Sequence, residues 1–301
     1  MHAPDTDLDL ASADLGPLAW VLDELRKSLD GASSALRRFV RDTALARAGE
    51  GGGPADAGQL RIARQQLHQA VGALEMVDLP APAQVLRAME SAVQAFIAKP
   101  ELCVEAAAGK VERCGFALAE FLEALLLGRR LSAVALFPQY RDVLELAGAE
   151  RVHPADLWTL DWRWQEPAVA APVQPLGYAP AVRSRMDQAV LRIVKSDDAA
   201  AARELSGLCH GLSGTASGTS RNFWKVCAGY FEACALGLLP SDVYVKRAAS
   251  RVLVQYAQLA KGEAPVSDRL AQDLVFFCAQ AEPAEPAAAP LLHAVRQAWR
   301  L

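Results

Sequence analysis

The sequence is poor in isoleucine and threonine, with three and five residues respectively, and both are β-branched residues that are enriched in strands. It also contains a single asparagine, Asn222. No stretch alternates polar and apolar residues as a half-buried strand would. Leucine and alanine are abundant instead, and both favour helices. We therefore expect an all-α fold.

Signatures of catalysis and of cofactor binding are also missing. The chain has no G-x-x-x-x-G-K-[ST], G-x-G-x-x-G, G-x-S-x-G or H-E-x-x-H motif. None of its six cysteines forms a C-x-x-C pair, the pattern typical of zinc and thiol redox sites. Cys227 and Cys234 lie seven residues apart on one predicted helix, which indicates core thiols rather than a metal site. We expect no cofactor, no metal, and a reducing cytoplasmic compartment.

Strong charge and long apolar runs are absent. The net charge is −4 and charged residues make up 22% of the chain, which argues against a nucleic-acid binder that relies on a broad basic surface. The longest charge-free runs, near 167–182 and 205–220, contain four prolines or many Gly and Ser residues. Neither is typical of a membrane span. The acidic N-terminus shows no apolar segment of a signal peptide.

Apolar residues recur every three or four positions along most of the chain, which predicts amphipathic helices. We expect residues 1–14 to be disordered and 15–164 to form a first helical bundle. A Pro- and Ala-rich linker follows at 165–180, then a second bundle at 181–280. The final stretch, 281–301, is predicted to be a spacer and the start of a further helix, which would make the chain a piece of a longer protein.

Two helical histidines are the candidates for chemistry. His68 follows a core leucine at the edge of an apolar stripe, and Gly72 lies one turn further on the same side. His210 repeats this arrangement with Gly214. Glycine inside a helix costs about 1 kcal/mol relative to alanine, so Gly72, Gly211 and Gly214 need a reason. Either the glycines permit close packing, or they leave the imidazoles exposed to a partner protein.

The H-x-x-x-G spacing resembles histidine phosphotransfer (Hpt) domains, whose core motif reads roughly H-x-L-K-G-x-A. At His68 the chain reads H-Q-A-V-G-A-L, with Val71 in place of the Lys and Leu74 in place of the small residue. At His210 it reads H-G-L-S-G-T-A, with Ser213 in place of the Lys. The resemblance implies two Hpt-like subdomains in tandem. Their motifs are degenerate because both lack the lysine, and a cation beside the imidazole helps an anionic phosphoryl group to bind.

A wider resemblance covers about 15–300. The phrases LAWVLDELRKSL, LHQAVGALEMVDLPAPAQVLRAMESAV, ALFPQYRDVLELAGAERVHPADLW and FWKVCAGYFEACALGLLPSDVYVKRAASRVLVQYAQLAKGEAPVSDRLAQDLVFFCAQA are similar to the N-terminal region of CheA-like hybrid histidine kinases of the type IV pilus chemosensory system (PilL/ChpA). FimL-type proteins share this region. The resemblance implies a role in pilus-based twitching motility. A full-length parent would be a protein-histidine kinase, although this chain carries no kinase motif.

Three functions are compatible with these features. The first is a non-catalytic interaction module that binds pathway proteins such as a kinase core, receiver domains or pilus-polarity proteins. The second is an active Hpt module that accepts a phosphoryl group on His68 or His210 and passes it to a receiver aspartate. The third is a small-molecule sensor with a ligand between helices. A basic helix with Lys246, Arg247 and Arg251 is either a solvated face or a docking site for an acidic partner.

Overall fold

The computed structural model describes residues 16–48, 57–129, 131–172 and 174–301. Within these ranges the regular structure consists of eleven α-helices and four short 3-10 helices, and no strand occurs. The predicted all-α fold is therefore confirmed. The chain divides between Thr159 and Leu160 into two compact units, a few residues before the predicted linker.

The first unit contains five α-helices among its described residues. They are α1 (Gly16–Arg47), α2 (Gly58–Met76), α3 (Pro80–Ala98), α4 (Glu105–Leu126) and α5 (Phe137–Leu146). Short 3-10 turns occur at Pro100–Leu102, Ala133–Leu136 and Pro154–Leu157. Pro138 lies in the first turn of α5, so this proline begins a new helix after a 3-10 turn, as prolines often do.

The core of the first unit is built from the apolar stripes that the sequence shows. On α1 the leucines of the predicted stripe are at most 5% exposed, and the four helices that follow in the unit bury similar stripes against them. Arg26 and Arg37 of α1 pair with Glu123 and Glu112 of α4. Because the two pairs run in opposite order along the chain, α1 and α4 are antiparallel.

The second unit contains six α-helices. They are α6 (Pro180–Ser196), α7 (Ala199–Ser213), α8 (Gly218–Ala235), α9 (Val243–Lys261), α10 (Asp268–Gln280) and α11 (Pro290–Trp299). The central helix is α8, which packs against α7, α10 and α11 and buries its aromatic side chains completely. Asp198 and Asp242 cap α7 and α9, since each carboxylate accepts two backbone N–H bonds.

The described residues between the first unit and α6 form no helix, and several of them lie against the helices of the second unit. Trp162 stacks on Trp299 of α11 with ring centroids 5.9 Å apart, and the indole of Trp164 donates to Asp268. Further along, Lys225 of α8 pairs with Glu166 at 2.9 Å. The described residues of the predicted linker are thus packed against the second unit. The C-terminal α11 ends at Trp299, where Arg300 adopts the left-handed conformation.

The six cysteines are free thiols, and all but the half-buried Cys234 are buried. Burial raises the pKa of Cys103 to about 11 and that of Cys114 to about 12. Such thiols are unreactive core side chains. Cys227 is likewise fully buried, as predicted for a core thiol, whereas Cys234 is half-buried. In the described ranges no group of three or more His, Cys, Asp or Glu residues could hold a metal ion. None of the helices described is long and apolar enough to cross a membrane.

Candidate functional site

His68 lies on the surface of the first unit, on the third turn of α2. Its side chain is 73% exposed, and its Nδ1 lies 3.3 Å from a carboxylate oxygen of Glu90 on α3. Glu90 is itself only 17% exposed and also pairs with Arg64 at 3.3 Å. The carboxylate fixes one side of the imidazole, so Nε2 is the ring nitrogen that an incoming group would reach.

The two motif positions beside His68 have different surroundings. A Cβ added at Gly72 would meet nothing within 4 Å, so this glycine does not serve close packing. Val71, at the position of the Hpt lysine, is buried at 6% exposure. The cation beside His68 is instead Arg64, which lies one turn earlier on α2 and pairs with Glu90. The sequence did not predict the contact with Glu90, because the pattern of α2 does not show which residues of α3 pack against it.

His210 has a different environment, on the last turns of α7. Its Nε2 lies 2.9 Å from the carbonyl oxygen of Ala170. A carbonyl can only accept, so Nε2 carries the hydrogen and donates it. The ring is half-buried beneath a segment that we call the strap, which comprises residues 170–172 and 174–176.

The strap packs against Gly211 of α7 and against Gly214, the residue that follows this helix. A Cβ at Gly211 would lie 2.7 Å from the Leu176 side chain, and one at Gly214 would lie 2.7 Å from Pro172. The backbone N–H of Leu176 also donates to the carbonyl of Gly211 at 2.8 Å, and Thr215 donates its hydroxyl to the carbonyl of Leu176. The space that these glycines leave is therefore filled by the strap. Of the two explanations for helix-interior glycine, close packing holds at Gly211. Gly214 is also closely packed, but the expectation that it lies inside the helix is wrong, because α7 ends at Ser213.

The basic side chains of α9 are mostly engaged within the second unit. Lys246 pairs with Asp197 at 3.0 Å, and Arg251 pairs at 3.0 Å with Asp273, whose side chain is 2% exposed. Arg247 is exposed. A docking site for an acidic partner would therefore have only one of the three predicted cations fully available.

A pocket of about 390 Å³ lies next to His210. The strap forms one wall, and the other walls come from α6 and α7, with Arg185, Arg203 and Glu204 among the lining residues. Glu204 is already paired with Arg185 at 3.0 Å and with Arg192 at 3.0 Å. Of the charged groups that line this pocket, Glu204 and Arg185 therefore bind each other, whereas a small-molecule site needs polar groups that are free to bind the ligand.

The second unit is the part of the chain that has a recognised counterpart. Residues 171–301 match the family model described as FimL scaffold protein, second domain. The FimL match covers less than half of the chain, and it begins inside the strap and extends through α11. The strap is thus matched together with the helices that it packs against. No curated protein and no solved structure gives a significant match.

The match to a scaffold domain fits a non-catalytic role and protein partners. It gives no support to kinase chemistry, and it covers none of the first unit, where His68 lies.

Proposed function

We propose that this chain is a non-catalytic helical scaffold of the type IV pilus chemosensory pathway, acting in the cytoplasm in twitching motility. The observation that carries the proposal is the match of residues 171–301 to the second domain of the FimL scaffold protein. Its partners are proteins of the pathway: the kinase core, receiver domains and pilus-polarity proteins. Six free thiols support the cytoplasmic location, because disulfides are rare in reducing compartments.

The environment of His210 supports a role without phosphotransfer in the second unit. A phosphoryl group can bond only to a ring nitrogen that presents a lone pair. At His210 the Nε2 hydrogen points to the Ala170 carbonyl, 2.9 Å away, so Nε2 offers no lone pair and only Nδ1 presents one. We further propose that the two units are Hpt-like subdomains in tandem whose motifs have lost their original role.

The experiment is a complementation test in a strain that lacks the protein. Chains with His68→Gln, His210→Gln and both changes are expressed at the level of the unmodified chain, and twitching zones are measured. A scaffold predicts that the double variant restores twitching as well as the unmodified chain does. A double variant that matches the deletion strain, at equal abundance, would contradict the proposal.

One observation favours a second candidate function, phosphotransfer at His68. The imidazole is 73% exposed and held at Nδ1 by Glu90, and the space at Gly72 is open. In this reaction Nε2 attacks the phosphorus of a phosphorylated kinase, and the bond from phosphorus to the donor breaks. The phosphoryl group then passes to a receiver aspartate. Acid-labile label that is lost in His68→Gln and kept in His210→Gln would establish this function.

A further inference from the structure

A groove of about 270 Å³ runs between α1 and α4 of the first unit. The groove is open because small residues line the contact between the two helices: Ser33 on α1, and Gly115 and Ala119 on α4. The side chain of Leu29 contributes an apolar patch to the groove. A Cβ added at Gly115 would lie 3.5 Å from both Leu29 and Met89, so this glycine is in contact with side chains of the core.

The rim of this α1–α4 groove is acidic. Four carboxylates and one guanidinium line it, and they belong to Asp30, Glu112, Glu120, Glu123 and Arg26. Arg26 pairs with Glu123, and Arg37 from outside the groove pairs with Glu112. Asp30 and Glu120 have no ion-pair partner among the residues that the structure describes. The groove therefore presents two uncompensated negative charges.

Two large apolar side chains are exposed along the same edge of α4. Phe116 is 53% exposed and Leu127, just after the helix, is 75% exposed. They are separated by eleven residues, which is three helical turns or about 16 Å. Glu120 and Glu123 lie between them on the same stripe. Along this edge an apolar side chain is followed by acidic side chains and then by a second apolar side chain. One short helix of a partner can cover this length.

We propose that the α1–α4 groove binds a basic amphipathic helix of a partner protein. This helix offers two apolar side chains about three turns apart, and Lys or Arg side chains between them. The apolar pair covers Phe116 and Leu127, while the cations pair with Asp30 and Glu120. Helices that place an apolar face in a groove are a common mode of recognition. Because the rim of the groove is acidic, charge complementarity selects a partner helix with a net positive charge.

Charge also argues against a second copy of the chain as the occupant. In a two-fold dimer the same surface meets itself, so two acidic rims would face each other and repel. The docking proposal rests on the scaffold role proposed above, because it supplies a surface for one of the scaffold's partners. Its test uses purified components, so the docking proposal can be contradicted while the twitching assay still supports the scaffold role. The twitching assay can likewise contradict the scaffold role while the peptide binds the groove.

The experiment uses the full chain and a fluorescein-labelled helical peptide of 18 residues. The peptide carries Leu at positions 3 and 14, Lys at positions 6, 7 and 10, and Ala or Gln elsewhere, with a lactam bridge that fixes the helix. A second peptide has Glu in place of each Lys. Binding is followed by fluorescence anisotropy at low and high salt, because salt screens exposed charges.

We expect the basic peptide to bind at micromolar concentration and the acidic peptide to bind at least about tenfold more weakly. Phe116→Ala and Glu120→Lys should each weaken the basic peptide by about tenfold, since each removes a contact at the interface. Ile62→Ala is the matched control, because Ile62 is 47% exposed on α2 and does not line the groove.

Three results would overturn the proposal. Equal binding of the two peptides would show that charge does not select the partner. Equal effects of Phe116→Ala and Ile62→Ala would place the site elsewhere. A chain that sediments as a dimer and becomes a monomer on Phe116→Ala would identify a second copy as the occupant. Circular dichroism of each variant shows whether the fold is retained, and Glu120→Lys, a surface change, remains informative if Phe116→Ala is not.

Discussion

The Nε2 nitrogen of His210 donates a hydrogen bond of 2.9 Å to the carbonyl oxygen of Ala170. The two residues are forty positions apart, and the bond joins the strap to α7. Together with the contacts at Gly211 and Gly214, it holds the strap over one side of the imidazole in this Hpt-like motif. In this arrangement Nε2 is not available to accept a phosphoryl group.

Loss of this bond should loosen the strap. In His210→Ala we expect the amide of Leu176, which donates to Gly211, to exchange with deuterium up to about tenfold faster. The reason is that one hydrogen bond contributes about 0.5–1.5 kcal/mol. Hydrogen exchange by mass spectrometry measures this. His68→Ala in the first unit is the control, and unchanged exchange in His210→Ala would show that the bond does not hold the strap.

The helix-interior glycines should respond in opposite directions to the same substitution. Gly72→Ala should raise the free energy of unfolding by about 0.5–1 kcal/mol, because its Cβ meets open space and alanine favours the helix. Gly211→Ala should lower it by about 1–3 kcal/mol, because the Cβ would lie 2.7 Å from Leu176. Urea denaturation measures both. Stabilisation by Gly211→Ala would mean that the strap moves away at little cost.

The buried carboxylate of Asp273 should be a sensitive point of the second unit. It is 2% exposed and lies 3.0 Å from Arg251 and 3.5 Å from Arg269. Asp273→Asn leaves two guanidiniums without their anion, and we expect a loss of about 2 kcal/mol, below the usual cost for a fully buried pair because both arginines are partly exposed. The matched control is Asp187→Asn in the exposed pair with Arg183, for which about 0.5 kcal/mol or less is expected. Equal losses would contradict this assignment.

The buried thiols should make the first unit sensitive to alkaline pH. Burial raises the pKa of Cys114 from 9.0 to about 12, so between these values the unfolded chain loses a proton that the folded chain keeps. The free energy of unfolding therefore falls as pH rises through this window, by about 1.4 kcal/mol per pH unit for one thiol. The stabilisation is fully present below pH 9.

Cys114→Ala should reduce this slope by about one proton. Val111→Ala, another buried residue of α4, lowers stability through lost packing and should leave the slope as it is. The measurement is urea denaturation at a series of pH values from 8 to 11. If both variants keep the slope of the unmodified chain, the Cys114 thiol does not titrate as its burial requires.

Helix positions could be predicted well from the sequence, since they depend on local periodicity. Periodicity alone does not place Pro138, since a proline can kink a helix or begin one, and the structure shows a new helix after the 3-10 segment at Ala133–Leu136. The tryptophans near residue 160 could not be placed by the same reasoning. Trp158 is buried in the first unit, whereas Trp162 stacks on Trp299 in the second, and such long-range contacts leave no periodic signal.

The candidate site shows the same limit. The sequence places His68 and His210 in similar motifs, yet Glu90 holds one ring and the Ala170 carbonyl holds the other. The residue that decides each case lies 22 or 40 positions away, in a neighbouring helix or in the strap. A helical pattern fixes which face a side chain occupies, but not what packs against that face.

The most direct test of the scaffold account is phosphohistidine formation. The full chain is incubated with the active kinase core of its own pathway and labelled ATP, and acid-labile, base-stable label is measured on the chain. His68→Gln and His210→Gln are the matched variants, and a receiver domain from the pathway shows that the kinase is active. We predict that the receiver is labelled through the kinase and that the chain is not. Label on the chain that disappears in His68→Gln would contradict the scaffold account and establish phosphotransfer.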